Sequence, residues 1–144
     1  MTNYYIDSSV LISLLLNDMH AEKALEIWER ATLKISSRLL AIEAWVVSHR
    51  YALRLPEHFR QSWLIESRTW LKKSLSGFYL YEINSSVQEI IEGEVSLGKC
   101  RSLDAIHLAT CKILQSEAGD LQLVTFDEKM RSAAEEVGIS CLVL

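Results

Sequence analysis

The chain has 144 residues and a hydrophobic content of 49%, enough to bury one substantial core, so we expect a single domain over residues 1–144. Its formal net charge of −4 at pH 7 excludes a uniformly basic nucleic-acid-binding protein. Its apolar runs are shorter than the roughly 18 to 20 residues of a membrane span, and "MTNYYID" is not typical of a signal peptide. We therefore expect a cytoplasmic protein without a membrane partner.

Short strands alternate with longer helices along the chain. Strands are predicted in five apolar or β-branched runs, at residues 3–7, 34–37, 78–83, 121–126 and 140–144. Helical patterns fill residues 8–16, 20–31, 57–73, 85–98, 102–119 and 127–138, and a further long helix around Glu43 runs toward Pro56. Ser85 or Ser86 is the expected cap of the helix over 85–98. This alternation predicts an α/β fold with a parallel sheet and helices on both faces.

The distribution of charges and the spacing of the cysteines limit the possible partners and cofactors. Between residues 38 and 73 basic side chains outnumber acidic ones, which allows a local basic surface despite the negative total. Cys100, Cys111 and Cys141 form no C-x-x-C pair, a pattern that favours reduced thiols over a disulfide framework or a zinc site.

Four acidic residues are candidates for a shared site. Asp7 ends the first predicted strand, Asp127 follows the fourth, and Asp104 lies in the first turn of an apolar helix. Glu43 lies in "LLAIEAWVV" on the stripe that a helix normally buries, where an ionised carboxylate needs a partner. Ligand sites in open parallel sheets form at the carboxyl ends of the strands. Each Asp has an alternative role as a helix cap or as a charge at the positive end of a helix dipole.

A divalent cation would explain four carboxylates in one crevice. Without a cation the acids would repel one another and raise one another's pKa values. Carboxylate oxygens are the ligands that Mg²⁺ and Mn²⁺ prefer, together with water and substrate phosphate oxygens. The sequence therefore predicts one or two such ions held by Asp7, Glu43, Asp104 and Asp127, in a site suited to phosphodiester hydrolysis.

The chain also resembles a known family. "YYIDSSVLI", "SSRLLAIEAWVV", "RSLDAIHLAT" and "LVTFDEKM", in this order and spacing, are similar to the acidic motifs of PIN domains, especially the VapC-like toxins of toxin–antitoxin pairs. The resemblance implies a three-layer α/β/α sandwich with a central, mostly parallel sheet of four to five strands. It implies a Mg²⁺- or Mn²⁺-dependent endoribonuclease that acts on RNA and is inhibited by a small antitoxin.

Carried over by position, the resemblance makes Asp7 and Asp104 the first metal ligands and adds Glu43 and Asp127 to the acidic pocket. Ser9 and Thr125 match small hydroxylated positions that support the site by hydrogen bonds. We expect the antitoxin to carry a basic tail that neutralises this pocket, and we expect a homodimer.

Other side chains have two interpretations each. His107 is either a ligand or, as we favour, a hydrogen-bonded packing histidine. Phe59, Trp63 and Trp70 share a helical face. We expect this face to lie in the core or in a dimer interface rather than to stack on nucleic-acid bases. Arg50, Arg54, Arg60 and Arg68 either bind phosphates or line a solvated helix face.

Three other functions are alternatives to a nuclease for this sequence. Haloacid-dehalogenase-like phosphatases need a second Asp where this chain has Ser9, and receiver modules need a phosphoacceptor Asp missing from "FYLYEINSS". The strongest alternative is a catalytically inactive PIN-fold interaction protein that keeps its acids for capping or partner recognition.

Overall fold

Parallel strands and helices alternate along the described chain, residues 2–144 of the computed structural model. In chain order the elements are β1 (Asn3–Ile6), α1 (Ser8–Leu16), α2 (Ala21–Arg30), β2 (Leu33–Ser37), α3 (Arg38–Arg54), α4 (Glu57–Ser76), β3 (Phe78–Tyr81), α5 (Ser85–Gly93), a 3-10 helix (Val95–Lys99), α6 (Ser102–Glu117), β4 (Gln122–Val124) and α7 (Glu128–Glu136). Among these residues no helix has both the length and the apolar character that crossing a bilayer requires.

The four strands form one parallel sheet in the order β3-β2-β1-β4. Tyr5 of β1 is paired with Ile35 of β2 on one side and with Leu123 of β4 on the other. β1 and β4 are therefore neighbours, although most of the chain lies between them. This confirms the predicted parallel sheet and brings the ends of β1 and β4 to the same edge.

The sheet is covered on both faces, which confirms the three-layer α/β/α architecture. Tyr5 and Leu123 pack with Leu108 of α6 and Ala134 of α7 on one face. Tyr4, Ile6 and Val124 pack with α1 and α2 on the other, and a third cluster joins α1, α3 and α4 next to β3. Successive side chains of a strand point to opposite faces of the sheet. Asp7 directly follows β1 and lies two residues after Tyr5, so it is on the same face of the sheet as Tyr5 and α6.

Two local predictions need correction at α5. The helix ends at Gly93 and is followed by a 3-10 helix, because Glu94 leaves the helical conformation. Its cap is Asn84, whose side chain accepts hydrogen bonds from the backbone N–H groups of Ser86 and Val87, and not Ser85 or Ser86. An Asn in extended conformation is as good a cap as Ser, and here it lies one residue earlier.

The fifth predicted strand is reduced to a single bridge. Cys141 pairs with Leu123 in parallel, and Leu123 exchanges backbone hydrogen bonds of 2.9 Å with Ser140 and Leu142. The Gln115 side chain holds this segment by bonding Ser140 in both directions. The segment therefore covers the edge of β4, but its pairing with the sheet is too short to form a regular strand.

Candidate metal centre

Asp7 lies where β1 becomes α1. It is buried, with 4% exposure, and its Oδ2 accepts a hydrogen bond of 2.9 Å from the Thr125 hydroxyl. The same oxygen accepts from the backbone N–H of Ser9 at 3.4 Å, which makes Asp7 the cap of α1. A buried carboxylate with these donors is held in one orientation at the carboxyl end of β1.

Asp127 lies at the corresponding end of β4. Its Oδ1 accepts from the backbone N–H groups of Lys129 and Met130 and caps α7. The Thr125 hydroxyl accepts from the Asp127 N–H at 3.0 Å, and the Ser9 hydroxyl accepts from the Phe126 N–H at 3.1 Å. Thr125 and Ser9 thus join the ends of β1 and β4 by hydrogen bonds.

Asp104 lies in the first turn of α6, with its side chain 28% exposed. Burial raises the pKa of Asp104, and the carboxylates of Asp127 and Asp7 raise it further; Arg101 opposes this, and Glu43 adds a smaller increase. The Arg101 guanidinium is only loosely paired with Asp104, at 3.8 Å, and is itself exposed. All three other acids therefore lie within electrostatic range of Asp104.

Glu43 is joined to His107. The distance between Oε1 of Glu43 and Nε2 of His107 is 2.6 Å, and Nδ1 of His107 is 2.8 Å from the Tyr5 hydroxyl. Burial by itself lowers the pKa of His107, but the hydrogen bond to Glu43 and the charges of Asp7, Glu43 and Asp104 outweigh it, and the pKa lies above its ordinary value. On the same helix Leu39 and Leu40 are buried, whereas Val46 is 47% exposed.

The capping role proposed as an alternative exists for two of the acids. Asp7 and Asp127 both cap helices, whereas the residue at the cap position of α6 is Arg101, without a side-chain hydrogen bond, and Asp104 is not a cap. Capping leaves a carboxylate ionised and oriented, so it does not exclude a second role at the same site.

An open crevice of about 650 Å³ adjoins the acids. Asp104 and Asp127 line it, together with the basic side chains of Lys99, Arg101 and Lys129. Asp7 and Glu43 are not among its lining residues. The crevice therefore has acidic and basic groups side by side, an arrangement suited to a ligand that carries both a cation and phosphate groups.

The donor set fits a hard divalent cation by its chemistry. Within residues 2–144 no three His, Cys, Asp or Glu side chains converge as a ready-made ligand cage. Mg²⁺ commonly uses one or two carboxylates and keeps several waters, so a complete cage is not required. The hydrogen bonds of Asp7, Glu43 and Asp127 occupy only part of the lone pairs of each carboxylate, so each of the four acids could still supply an oxygen to such an ion.

His107 is buried and hydrogen-bonded, as the interpretation favoured from the sequence has it, whereas the role of Tyr5 was missed. His107 is 1% exposed, which agrees with packing, but it also makes the direct contact of Glu43 that the sequence could not assign. Two features of the sequence indicated this pair. The charge of Glu43 needs a partner, and His107 lies one helical turn after Asp104. Tyr5 carried the weaker signal of a strand residue two positions before Asp7.

Comparisons with known proteins agree with this fold and arrangement. The chain is 26% identical over 142 residues to Ribonuclease VapC46 of Mycobacterium tuberculosis (strain ATCC 25618 / H37Rv), an alignment that covers 99% of this chain and 98% of that protein. The sequence pattern of the PIN domain matches residues 4–136, a stretch that includes the four acids, Tyr5 and His107. The chain therefore belongs to the PIN domain family.

Proposed function

We propose that the protein is a metal-dependent endoribonuclease and the toxin of a type II toxin–antitoxin pair. The observation that carries the proposal is the grouping of the acids at the carboxyl edge of the sheet. The Thr125 hydroxyl joins Asp7 to Asp127, one N–H of His107 lies between Asp7 and Glu43, and Asp104 and Asp127 line the same crevice. Carboxylates that lie close enough to repel one another are costly without a cation, so their grouping favours a metal-binding function. The similarity to a protein named as a ribonuclease supports RNA as the substrate.

In this proposal each residue has a defined task. Asp7 and Asp104 hold Mg²⁺ or Mn²⁺, as one or two ions, and Glu43 and Asp127 complete the acidic pocket. Thr125 and Ser9 keep Asp7 and the end of β4 in place through the hydrogen bonds described above. Lys99, Arg101 and Lys129 on the crevice wall offer contacts for the phosphates of the RNA.

A bound Mg²⁺ or Mn²⁺ would supply a water of lowered pKa and neutralise charge on the phosphate. The oxygen of such a water would attack phosphorus in line with the 3′ oxygen and the P–O3′ bond would break. The attacking water would give up a proton to solvent and the leaving 3′ oxygen would take one up, so that the products would carry 5′-phosphate and 3′-hydroxyl ends. The buried, hydrogen-bonded carboxylate of Asp7 is already oriented for this task, so little rearrangement is needed on its side of the site.

The proposal is tested by RNA cleavage with purified protein. We expect cleavage that requires Mg²⁺ or Mn²⁺, stops in excess chelator, and falls by about 100-fold or more in Asp7→Asn and in Asp104→Asn. Glu89→Gln is the matched control, because Glu89 is exposed on α5, away from the acids. Activity that persists in chelator would contradict the proposal.

The proposed partners are a small antitoxin with a basic tail and a second copy of the chain. The exposed side chains of Leu53 on α3 and of Phe59 and Ile65 on α4 offer apolar surface for such assembly. A neighbouring gene for a small protein with a basic, disordered tail, and co-purification of its product, would support the toxin assignment. A catalytically inactive interaction protein is the alternative, and it predicts no millimolar or tighter Mn²⁺ binding.

A further inference from the structure

A chain of two hydrogen bonds lies beneath the acidic pocket and connects three elements. It runs from the Tyr5 hydroxyl on β1 to Nδ1 of His107 on α6 at 2.8 Å, and from Nε2 of His107 to Oε1 of Glu43 on α3 at 2.6 Å. We propose that Tyr5 and His107 are positioning residues that hold Glu43 for binding of the divalent cation. The inference rests on the proposed function, which it deepens by assigning the orientation of one carboxylate.

The direction of the bonds follows from the groups involved. An ionised carboxylate only accepts hydrogen bonds, so Nε2 of His107 carries the proton that Glu43 receives. The hydroxyl of Tyr5 can donate to Nδ1 of a neutral imidazole or accept from Nδ1 of a charged one. The Nε2–H donor therefore faces Glu43 in both charge states, and the Tyr5 hydroxyl, which can donate or accept, keeps its hydrogen bond to Nδ1 in each of them.

The surroundings keep this chain in place. Tyr5 and His107 are 0% and 1% exposed, and their rings meet edge to face with centroids 5.9 Å apart. Burial raises the pKa of Tyr5 well above its ordinary value, so the phenol keeps its proton. Water has little access to compete for either hydrogen bond, and the orientation of the imidazole is fixed before any ion binds.

The imidazole also faces a second acid. Nε2 of His107 is 3.9 Å from Oδ1 of Asp7, so one N–H group lies between the carboxylates of Asp7 and Glu43. The bond to Oε1 leaves Oε2 of Glu43 free of hydrogen bonds from the described part of the chain, with the side chain 21% exposed. This oxygen is the one available to the ion or to a water on it.

Tyr5→Phe removes one hydroxyl and keeps the ring in the core. We expect it to weaken Mn²⁺ binding, measured by calorimetry without RNA, by about 10-fold, because partners that orient a metal ligand contribute 10- to 100-fold in affinity. At saturating Mn²⁺ we expect a lower kcat with little change in the KM for RNA. The matched control is Tyr4→Phe, the same substitution on the opposite face of β1, where we expect unchanged Mn²⁺ affinity and cleavage.

Two substitutions of His107 separate positioning from packing. In His107→Gln the side-chain amide still offers an N–H to Glu43, whereas in His107→Leu the volume is filled without a donor. We expect the Gln variant to keep more Mn²⁺ affinity than the Leu variant, even where the Leu variant has the higher melting temperature. Nitrogen-15 shifts of His107 in metal-free protein report these bonds, with Nε2 protonated in wild type and a changed Nδ1 shift in Tyr5→Phe, where Nδ1 loses its hydrogen-bond partner.

The outcomes distinguish this inference from the proposed function. If wild-type protein binds Mn²⁺ and cleaves RNA while Tyr5→Phe behaves like Tyr4→Phe in affinity, kcat and histidine shifts, the inference is wrong and the proposed function stands. If wild-type protein neither binds Mn²⁺ nor cleaves RNA, both are wrong.

Discussion

Asp104 is the acid whose charge is least compensated in the metal-free protein. Burial and three neighbouring carboxylates raise its pKa, against the single opposing effect of Arg101. We expect Asp104→Asn to raise the melting temperature of metal-free protein at neutral pH by about 2–4 °C, the shift that about 1 kcal/mol causes in a chain of this size. Glu128→Gln, which removes an exposed acid in the first turn of α7, should give no increase.

The pH dependence of the Asp104 effect has a defined sign. Because the pKa is raised in the folded state, that state binds the proton more tightly than the unfolded chain does, and stability is lost as pH rises through the window between the ordinary and the raised pKa. The gap in melting temperature between wild type and Asp104→Asn should therefore narrow as pH falls through this window. A gap that widens toward acid would contradict the assigned repulsion.

The hydroxyl of Thr125 makes hydrogen bonds at the ends of both β1 and β4. It donates to Oδ2 of Asp7 and accepts from the N–H of Asp127, and the residue is 1% exposed. In Thr125→Val the shape is kept but both partners lose a hydrogen bond, so we expect the free energy of unfolding to fall by about 1–3 kcal/mol. Chemical denaturation measures this loss. Thr125→Ser keeps the hydroxyl, and a loss as large as that of the Val variant would refute the assignment to hydrogen bonding.

At the scale of elements, the cap of α5 offers a direct test of local sequence rules. Asn84 caps the helix, whereas Ser85, one of the two capping residues predicted from the sequence, is the first residue inside it. We expect Asn84→Ala to lower the free energy of unfolding by about 1 kcal/mol and Ser85→Ala to change it much less, both measured by urea denaturation. The reverse order would restore the prediction from the sequence.

The elements were predictable where a local signal was sufficient. Hydrophobic periodicity indicated β1 to β4 and the helices between them, and Gly138, with a φ of +79°, ends α7 as expected of a glycine at this position. The reduction of the last strand to the Cys141 bridge was not predictable in this way, because this segment is held by contacts from elsewhere in the chain, such as the hydrogen bonds between Gln115 and Ser140. Such contacts leave no trace in a window of neighbouring residues.

The candidate site was likewise predictable from the sequence only in part. Asp7, Asp104 and Asp127 stand at predictable positions of strands and helices, and the motifs around them were readable. The joining of Glu43 to His107 was not, because their separation of 64 residues makes the contact a property of how α3 and α6 approach one another. The sequence showed that the charge of Glu43 needs a partner, but only the packing of α3 against α6 identifies that partner as His107.

For the whole molecule, ion binding and folding should be linked. A ligand that binds only the folded state adds stability, about 2.7 kcal/mol when its concentration is 100 times its Kd. We therefore expect Mn²⁺ to raise the melting temperature of wild-type protein in a concentration-dependent way and to do so much less in Asp7→Asn. Equal shifts in both proteins would indicate that the ion binds elsewhere.

The bond between Thr125 and Asp7 joins residues 118 positions apart. At roughly 5 to 20 residues per second, a ribosome therefore adds Thr125 roughly 6 to 24 s after it adds Asp7. Throughout that interval the growing chain holds only part of its acidic pocket. An incomplete polypeptide released at any earlier codon lacks Thr125 and Asp127 altogether, so the timing of translation itself delays the assembly of the site.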